Sequence, residues 1–393
     1  MRKKLILAAL VITALLLSVS GGLIMAQPPD NSQGHAPDQI LVKFVPGTPE
    51  ETKAKAHQKH GGKVVAVIPG IDVQVVKIPE NQVKEKVKDY RGEAAVKFAE
   101  PDYIATAILE PNDPYFLEGK QWGMAKIQAP QAWDITKGSS AIRIAILDTG
   151  IDQDHEDLAA KIVANKNFTL SRTVDDRYGH GTHVAGIAAA ITNNLKGVAG
   201  VGFDSSLMNV KVLGDTGSGY YNWVANGIIW AADNGAKVIN LSLGGSSPSA
   251  TLESAVNYAW GKGSVLVAAA ENNNTTAPLY PAYYNNCIAV AATDQNDAKA
   301  TFSNYGTWVD IAVPGVDIFS TLPNHRNRLK TTNYGSLSGT SMSTPHVSGV
   351  VALIFAKFGG TNIEVRAKVE ASVDATSGFS TTIGRVNAYK AVQ

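Results

Sequence analysis

Short apolar runs alternate with charged stretches of helical period along residues 39–107. QILVKFVPG, KVVAVIPG, DVQVVKIP and VKFAEPDYIATA read as strands, and ETKAKAHQKHGG and QVKEKVKDYRG as helices. The order strand, helix, strand, strand, helix, strand predicts a small ferredoxin-like α+β unit. An independent small domain would give the same pattern. From PNDPYF onward the texture becomes Gly- and Ala-rich. AIRIAILD, SLMNVKVL, AKVINLSL, GSVLVAAA and CIAVAAT are strand candidates, with HVAGIAAAIT, YYNWVANGIIWAADN and TLESAVNYAWGKG as helices between several of them. Continuously apolar strands separated by helices predict a parallel sheet covered on both faces, with chemistry at the carboxyl ends of its strands. No internal repeat is visible, and no appended module is expected after GRVNAYKAVQ.

Composition adds a boundary and a compartment. The 393 residues are 45% hydrophobic and carry a net charge of +1, enough for a large core plus a second small unit and no sign of a nucleic-acid partner. Charge is denser before residue 107 than after it. At the front, Arg2, Lys3 and Lys4 precede an apolar run too short to span a bilayer, which predicts a signal peptide over residues 1–26, cleaved after Ala26 or, alternatively, Ser20. Residues 27–38 read as a linker. A secreted chain with Cys287 as its only cysteine forms no internal disulfide, and the apolar run around Cys287 predicts a packing role.

Three places carry candidate chemistry. Asp148 ends a strand before Thr149-Gly150, where a carboxylate can orient an imidazole; a plain turn gives the same tripeptide. His180 opens a small-residue helix in YGHGTHVAG, with His183 in its first turn, and neither HExxH nor a cysteine cluster supports a metal there. Ser341 lies at the start of an apolar helix whose first turn is expected to contain Pro345, where free N–H groups favour a developing oxyanion; an N-capping serine is the plainer reading. The chain order Asp, His, Ser is that of subtilisin.

AILDTG, GHGTHVAG and SGTSMSTPHVSG together resemble the three active-site signatures of the subtilase family, and the resemblance covers the whole chain. QWGMAKIQAPQAWDI, NTTAPLYPAYYNN and TDQNDAKATFSNYGTWVDIAVPG are similar to its thermitase-like branch. The resemblance implies a subtilisin-like parallel sheet with helices on both faces over residues 108–393, and an inhibitory propeptide over 39–107. It also implies a secreted serine endopeptidase with Asp148, His180 and Ser341 as triad, Asn272 completing the oxyanion site, and an acyl-enzyme intermediate. Gly217 to Gly219 and Ser242, Leu243, Gly244 and Gly245 would be the edges between which a substrate strand inserts.

One departure bears on specificity. Where the family has AAAGN, this chain has Ala268-Ala269-Ala270-Glu271-Asn272, so a glutamate lines the pocket for the residue before the scissile bond. It would damage activity, attract Lys or Arg, or turn toward solvent and narrow the pocket, and the cost of burying an unpaired carboxylate favours an outward or partly solvated pose. By resemblance, calcium would be held by Asp113, Asp157, the Asn194 side chain and the carbonyls of Ile191, Lys196 and Val198. A second family calcium site is not expected, because Asn167, Leu170 and Arg172 replace carboxylates, with Asp175 and Asp176 compensating only after rearrangement. Self-cleavage is expected between Tyr103 and Glu110. The expected partners are protein and peptide substrates and the chain's own propeptide, with no nucleic acid, no stable membrane anchor and a monomeric state.

Overall fold

A computed structural model describes residues 34–104, 110–379 and 383–393, so the signal reading and most of the expected self-cleavage span lie outside the described residues. The chain divides into two compact units, residues 1–106 and 107–393.

In the first unit, β1 (His35–Phe44), α1 (Glu50–His60), β2 (Lys63–Ile68), β3 (Val73–Lys77), α2 (Val83–Arg91) and β4 (Val96–Tyr103) follow the predicted order. They form one antiparallel sheet, β2-β3-β1-β4, the ferredoxin-like arrangement. β1 starts at His35, inside the stretch expected to be a linker, because His35 pairs with Tyr103 and the Ile104 N–H donates to the Gly34 carbonyl. Val83, Val87 and Tyr90 recur at helical spacing on the buried face of α2, against Ile40, Val42, Val76 and Ala99. Buried His57 is satisfied on both nitrogens, by the Tyr90 hydroxyl at 2.9 Å and by Gln74 Oε1 at 2.7 Å.

The second unit begins with three short helices, α3 (Pro114–Leu117), α4 (Trp122–Lys126) and α5 (Ala129–Ile135). There follow β5 (Arg143–Asp148), β6 (Ile162–Asn167), α6 (His180–Ala189), β7 (Ser206–Lys211), α7 (Tyr221–Asp233), β8 (Val238–Leu241), α8 (Ala250–Gly261), β9 (Val265–Ala269) and β10 (Cys287–Thr293). The chain continues through β11 (Ile311–Pro314), β12 (Ile318–Leu322), β13 (Asn333–Leu337), α9 (Thr340–Phe358), α10 (Asn362–Ala371), β14 (Val373–Asp374), β15 (Arg385–Val386) and α11 (Ala388–Val392). Nine of these strands form a sheet in the order β14-β15-β11-β10-β9-β8-β5-β7-β6. Its pairs are parallel except β14 with β15.

Period-two alternation divides the core. Ile144, Ile146, Val265 and Val267 pack with α6 and α9 residues, whereas Ala145, Leu147, Leu266 and Ala268 pack with those of α7 and α8. Burial of both faces accounts for the continuous apolar runs in the sequence. β12 and β13 form a separate antiparallel hairpin that the sequence did not suggest, because polar residues interrupt both strands. Among the described residues, no helix is long and apolar enough to cross a membrane.

Candidate active site

β5 pairs with β7 on one side and β8 on the other, so the strand order reverses direction at β5. Crevices form outside the carboxyl ends of strands at such a point. Asp148 is the last residue of β5 and is fully buried. Its Oδ1 accepts from His180 Nδ1 at 2.8 Å and from the Thr149 N–H at 2.7 Å; no hydrogen bond reaches Oδ2 among the described residues. An ionised carboxylate only accepts, so His180 carries its proton on Nδ1 and leaves Nε2 as an acceptor. Burial alone would lower the His180 pKa, but the charge and hydrogen bond of Asp148 outweigh it and hold the imidazole above its usual value.

His180 opens α6, and close packing fixes it there. A Cβ at Gly181 would lie 2.2 Å from the Gly150 carbonyl oxygen and 3.0 Å from Asp148 Cβ, so only glycine lets the helix approach β5. Buried Asp176 secures the helix start by accepting from the N–H groups of Tyr178, Gly179 and Thr182 and from the hydroxyls of Thr149 and Thr182. This positioning role was missed in the sequence, although an acidic residue just ahead of a Gly-started helix is a capping signal. His183 is buried beside it, and its Nε2 meets the Gly335 carbonyl at 3.0 Å; burial pushes its pKa down to about 3, which suits a packed neutral imidazole.

Ser341 is the second residue of α9. The helix begins at Thr340, so Pro345 falls in the second turn rather than the first, because Asn272 Oδ1 accepts the Thr340 N–H at 2.8 Å and caps the helix early. Proline has no N–H for the carbonyl four residues back, that of Ser341. Ser242 Oγ donates to this carbonyl instead, at 2.8 Å, and Ser341 Oγ donates to the Ser242 carbonyl at 3.2 Å. Gly339 precedes the helix at φ +155°, ψ +160°, a region open essentially to glycine. A Cβ there would make only ordinary contacts, 3.6 Å to Asn272 Oδ1 and 3.7 Å to Asn272 Nδ2 and the Ser341 nitrogen, so the backbone conformation is what calls for glycine beside these two donors.

His180, Ser242, Leu243, Gly244, Glu271, Gly217 and Gly219 line one cleft of ≈ 430 Å³. No hydrogen bond reaches the backbone of Leu243 or Gly244 among the described residues, which leaves that edge open. Gly245 does not belong to it. Its N–H and C=O both pair with Tyr280, each at 2.9 Å, so the expected substrate edge ends at Gly244. Glu271 takes the partly solvated pose of the expected pair rather than the outward one: it is half-buried in the cleft lining, and a Cβ at Gly244 would meet its Oε1 at 2.9 Å. Burial raises its pKa, opposed by the nearby His180 charge.

Away from the cleft, Asp113 and Asp157 are fully buried near one another. Burial raises the Asp113 pKa, against the loop N–H groups of Asn193 and Asn194, and the Asp157 charge adds to the rise. Val198 N–H donates to Asp157 Oδ2 at 2.8 Å. Tyr334, which lies in no recognisable motif, also donates to that oxygen, at 3.1 Å. Asn194 directs Nδ2 to Asp157 Oδ1 and accepts the Lys196 N–H on its own Oδ1, both at 2.8 Å. Among the described residues no hydrogen bond reaches the carbonyls of Ile191, Lys196 or Val198, and no Lys or Arg pairs with Asp113 or Asp157. Two buried carboxylates with spare carbonyls around them suit a hard cation.

At the end of β6, Asn167 accepts from Thr169 and donates to the Ser171 and Thr173 carbonyls, and the Ser171 hydroxyl donates to Asp215 Oδ2 at 3.0 Å. Leu170 is almost fully exposed. Asp152, Asp175 and His325 bring side-chain atoms within 4.8 Å of one another, and His325 Nε2 meets the Asp176 carbonyl at 3.0 Å, bracing the segments that carry Asp148 and His180. Cys287 is buried, and burial pushes its thiol pKa far up, as a packing role requires.

Comparisons with known proteins agree with this arrangement. Residues 139–384 match the Subtilase family, and residues 24–102 match the Fervidolysin N-terminal prodomain. Thermitase of Thermoactinomyces vulgaris is 56% identical over 286 residues, covering 72% of this chain and 99% of that protein. The thermophilic serine proteinase of Bacillus sp. strain AK1 is 44% identical over 362 residues, covering 90% and 87%. A solved protease structure from Pseudoalteromonas arctica superposes with a TM-score of 0.66 at 34% identity, covering 72% of this chain and 98% of that one. A family match over most of the second unit, joined by a relative sharing more than half its residues along nearly its full length, establishes that the chain belongs to the subtilase family of serine proteases.

Proposed function

We propose that this protein is a secreted, calcium-dependent serine endopeptidase that matures by self-cleavage, with residues 39–107 acting first as its inhibitory propeptide and 108–393 as the catalytic domain. The observation that carries the reading is the Asp148–His180 bond at 2.8 Å, opening into the same cleft as Ser242, which holds Ser341. Rotation of the Ser341 hydroxyl from the Ser242 carbonyl toward His180 Nε2 makes it a nucleophile. It attacks the peptide carbonyl, His180 takes its proton, and Asp148 stabilises the imidazolium. The tetrahedral oxyanion lies between the Ser341 N–H and Asn272 Nδ2. Collapse passes the proton to the leaving amine and leaves an acyl-enzyme, which water hydrolyses by the same steps.

Ser242 to Gly244 and Gly217 to Gly219 accept the substrate as an added strand, so main-chain pairing supports broad specificity, which Glu271 modifies. Asp113, Asp157, Asn194 and the carbonyls of Ile191, Lys196 and Val198 would hold calcium. When bound, the ion supplies charge neutralisation that fixes the segment around Asp113 to the loop after α6. The apolar run behind Arg2, Lys3 and Lys4 supports secretion.

The test is the purified Ser341→Ala precursor beside wild type in calcium. Wild type is expected to self-process and react covalently with a fluorophosphonate probe at Ser341, while Ser341→Ala stays full-length. Efficient processing of the purified variant would sink the self-cleavage reading.

A further inference from the structure

We infer that Glu271 makes this protein select a cationic side chain, Lys or Arg, immediately before the bond it cuts; the inference rests on the peptidase reading above. Glu271 adopts φ +78°, the left-handed region that side-chain-bearing residues enter at a cost. Its backbone is pinned on both sides. The Glu271 N–H donates to Thr340 Oγ1 at 3.0 Å, and its carbonyl accepts the Asn304 N–H at 2.9 Å. The backbone is held, and the side chain lines the cleft.

There the carboxyl lies against the bare Gly244 Cα, beside the open Ser242–Gly244 edge. A substrate strand on that edge, with its carbonyl beside Ser341, brings the side chain preceding the scissile bond toward this carboxyl. The carboxyl has no cation of its own, since no Lys or Arg pairs with it among the described residues. Its polar partners are the adjacent Asn272 N–H and the more distant His180 charge. A half-buried carboxylate without a counter-ion is costly, and a substrate ammonium or guanidinium offsets that cost. Acidic side chains meet like charge, and large aromatic rings lose the room that glycine would leave.

The experiment measures kcat/KM of the mature enzyme on peptides differing only at that residue: Lys, Arg, norleucine, Phe and Glu. Norleucine matches the lysine stem without its charge. Wild type is expected to favour Lys over norleucine by about tenfold or more, the effect of a charge-assisted contact in a partly desolvated site. Glu271→Gln should bring that ratio to about one, and Glu271→Gly should do the same while improving Phe. Melting curves establish that each variant is folded, and the two variants back each other if one is not. A wild-type ratio near one, or a preference that survives in the folded variants, overturns the inference. If wild type reacts with the fluorophosphonate and cuts the norleucine peptide without preferring Lys, only this inference falls. Folded wild type that neither reacts nor cuts any peptide overturns the peptidase reading as well.

Discussion

Ser242 and Ser341 exchange hydrogen bonds in both directions: the Ser242 hydroxyl donates to the Ser341 carbonyl at 2.8 Å and the Ser341 hydroxyl to the Ser242 carbonyl at 3.2 Å. The first bond exists because Pro345 cannot supply the usual helical donor. The open substrate edge and the start of α9 are therefore coupled at the residue that would attack the peptide.

Ser242→Ala leaves the Ser341 carbonyl without a donor, which costs about 1–3 kcal/mol. Its melting temperature should fall, and kcat should drop more than KM rises, since Ser341 loses its anchor. Pro345→Ala restores an N–H four residues on, so the loss from Ser242→Ala should be smaller in that background. A double-mutant cycle by denaturant unfolding checks this, and strict additivity would count against it.

Asn272 has two tasks. Its Oδ1 caps Thr340, and Nδ2 lies beside Gly339 at the start of α9. Asn272→Ala should lower kcat by about a hundredfold to a thousandfold with little change in KM, as measured by steady-state hydrolysis of a peptide anilide.

For pH dependence, the base must be neutral to accept the Ser341 proton. Burial lowers the His180 pKa, and Asp148 more than reverses this, so the net shift is upward. Activity should therefore disappear as pH falls through a value above the ordinary imidazole range of about 6.5. Asp148→Asn should move this acid limb downward and reduce kcat by about 10⁴-fold. A pH profile of kcat/KM for both proteins measures the limb; an unmoved limb would assign it to another group.

Calcium should stabilise the second unit. At a hundred times its dissociation constant, a ligand bound only by the folded state contributes about 2.7 kcal/mol. Chelation should lower the melting temperature of the Ser341→Ala protein, magnesium should restore less of it than calcium, and Asp157→Asn should make melting insensitive to both. Calorimetry with and without chelator provides the measurement.

Much of this was legible in the sequence because the sheet is buried on both faces. Ile144–Leu147 and Val265–Ala269 had to be apolar, which made β5 and β9 visible, and His180 followed the glycines that let α6 pack tightly. Polar elements escaped notice. The β12–β13 hairpin has no continuous apolar run, and Asp176 serves the helix start through an array of N–H groups that no spacing rule displays.

What the sequence indicated by itself was the element order of the first unit, the continuously apolar strands of the second and the candidates Asp148, His180 and Ser341, with Asn272 added by family resemblance, because periodicity and motif order are local properties of the chain. Tertiary structure decided which backbone groups remain open and where side chains point. Gly245 is closed by Tyr280, 35 residues later, and Ser341 is tied to Ser242, 99 residues earlier. Glu271 lines the cleft while Thr340 and Asn304, from distant parts of the chain, hold its backbone. A hydrogen-bonding group has limited capacity, and only the folded chain settles which distant partner uses it.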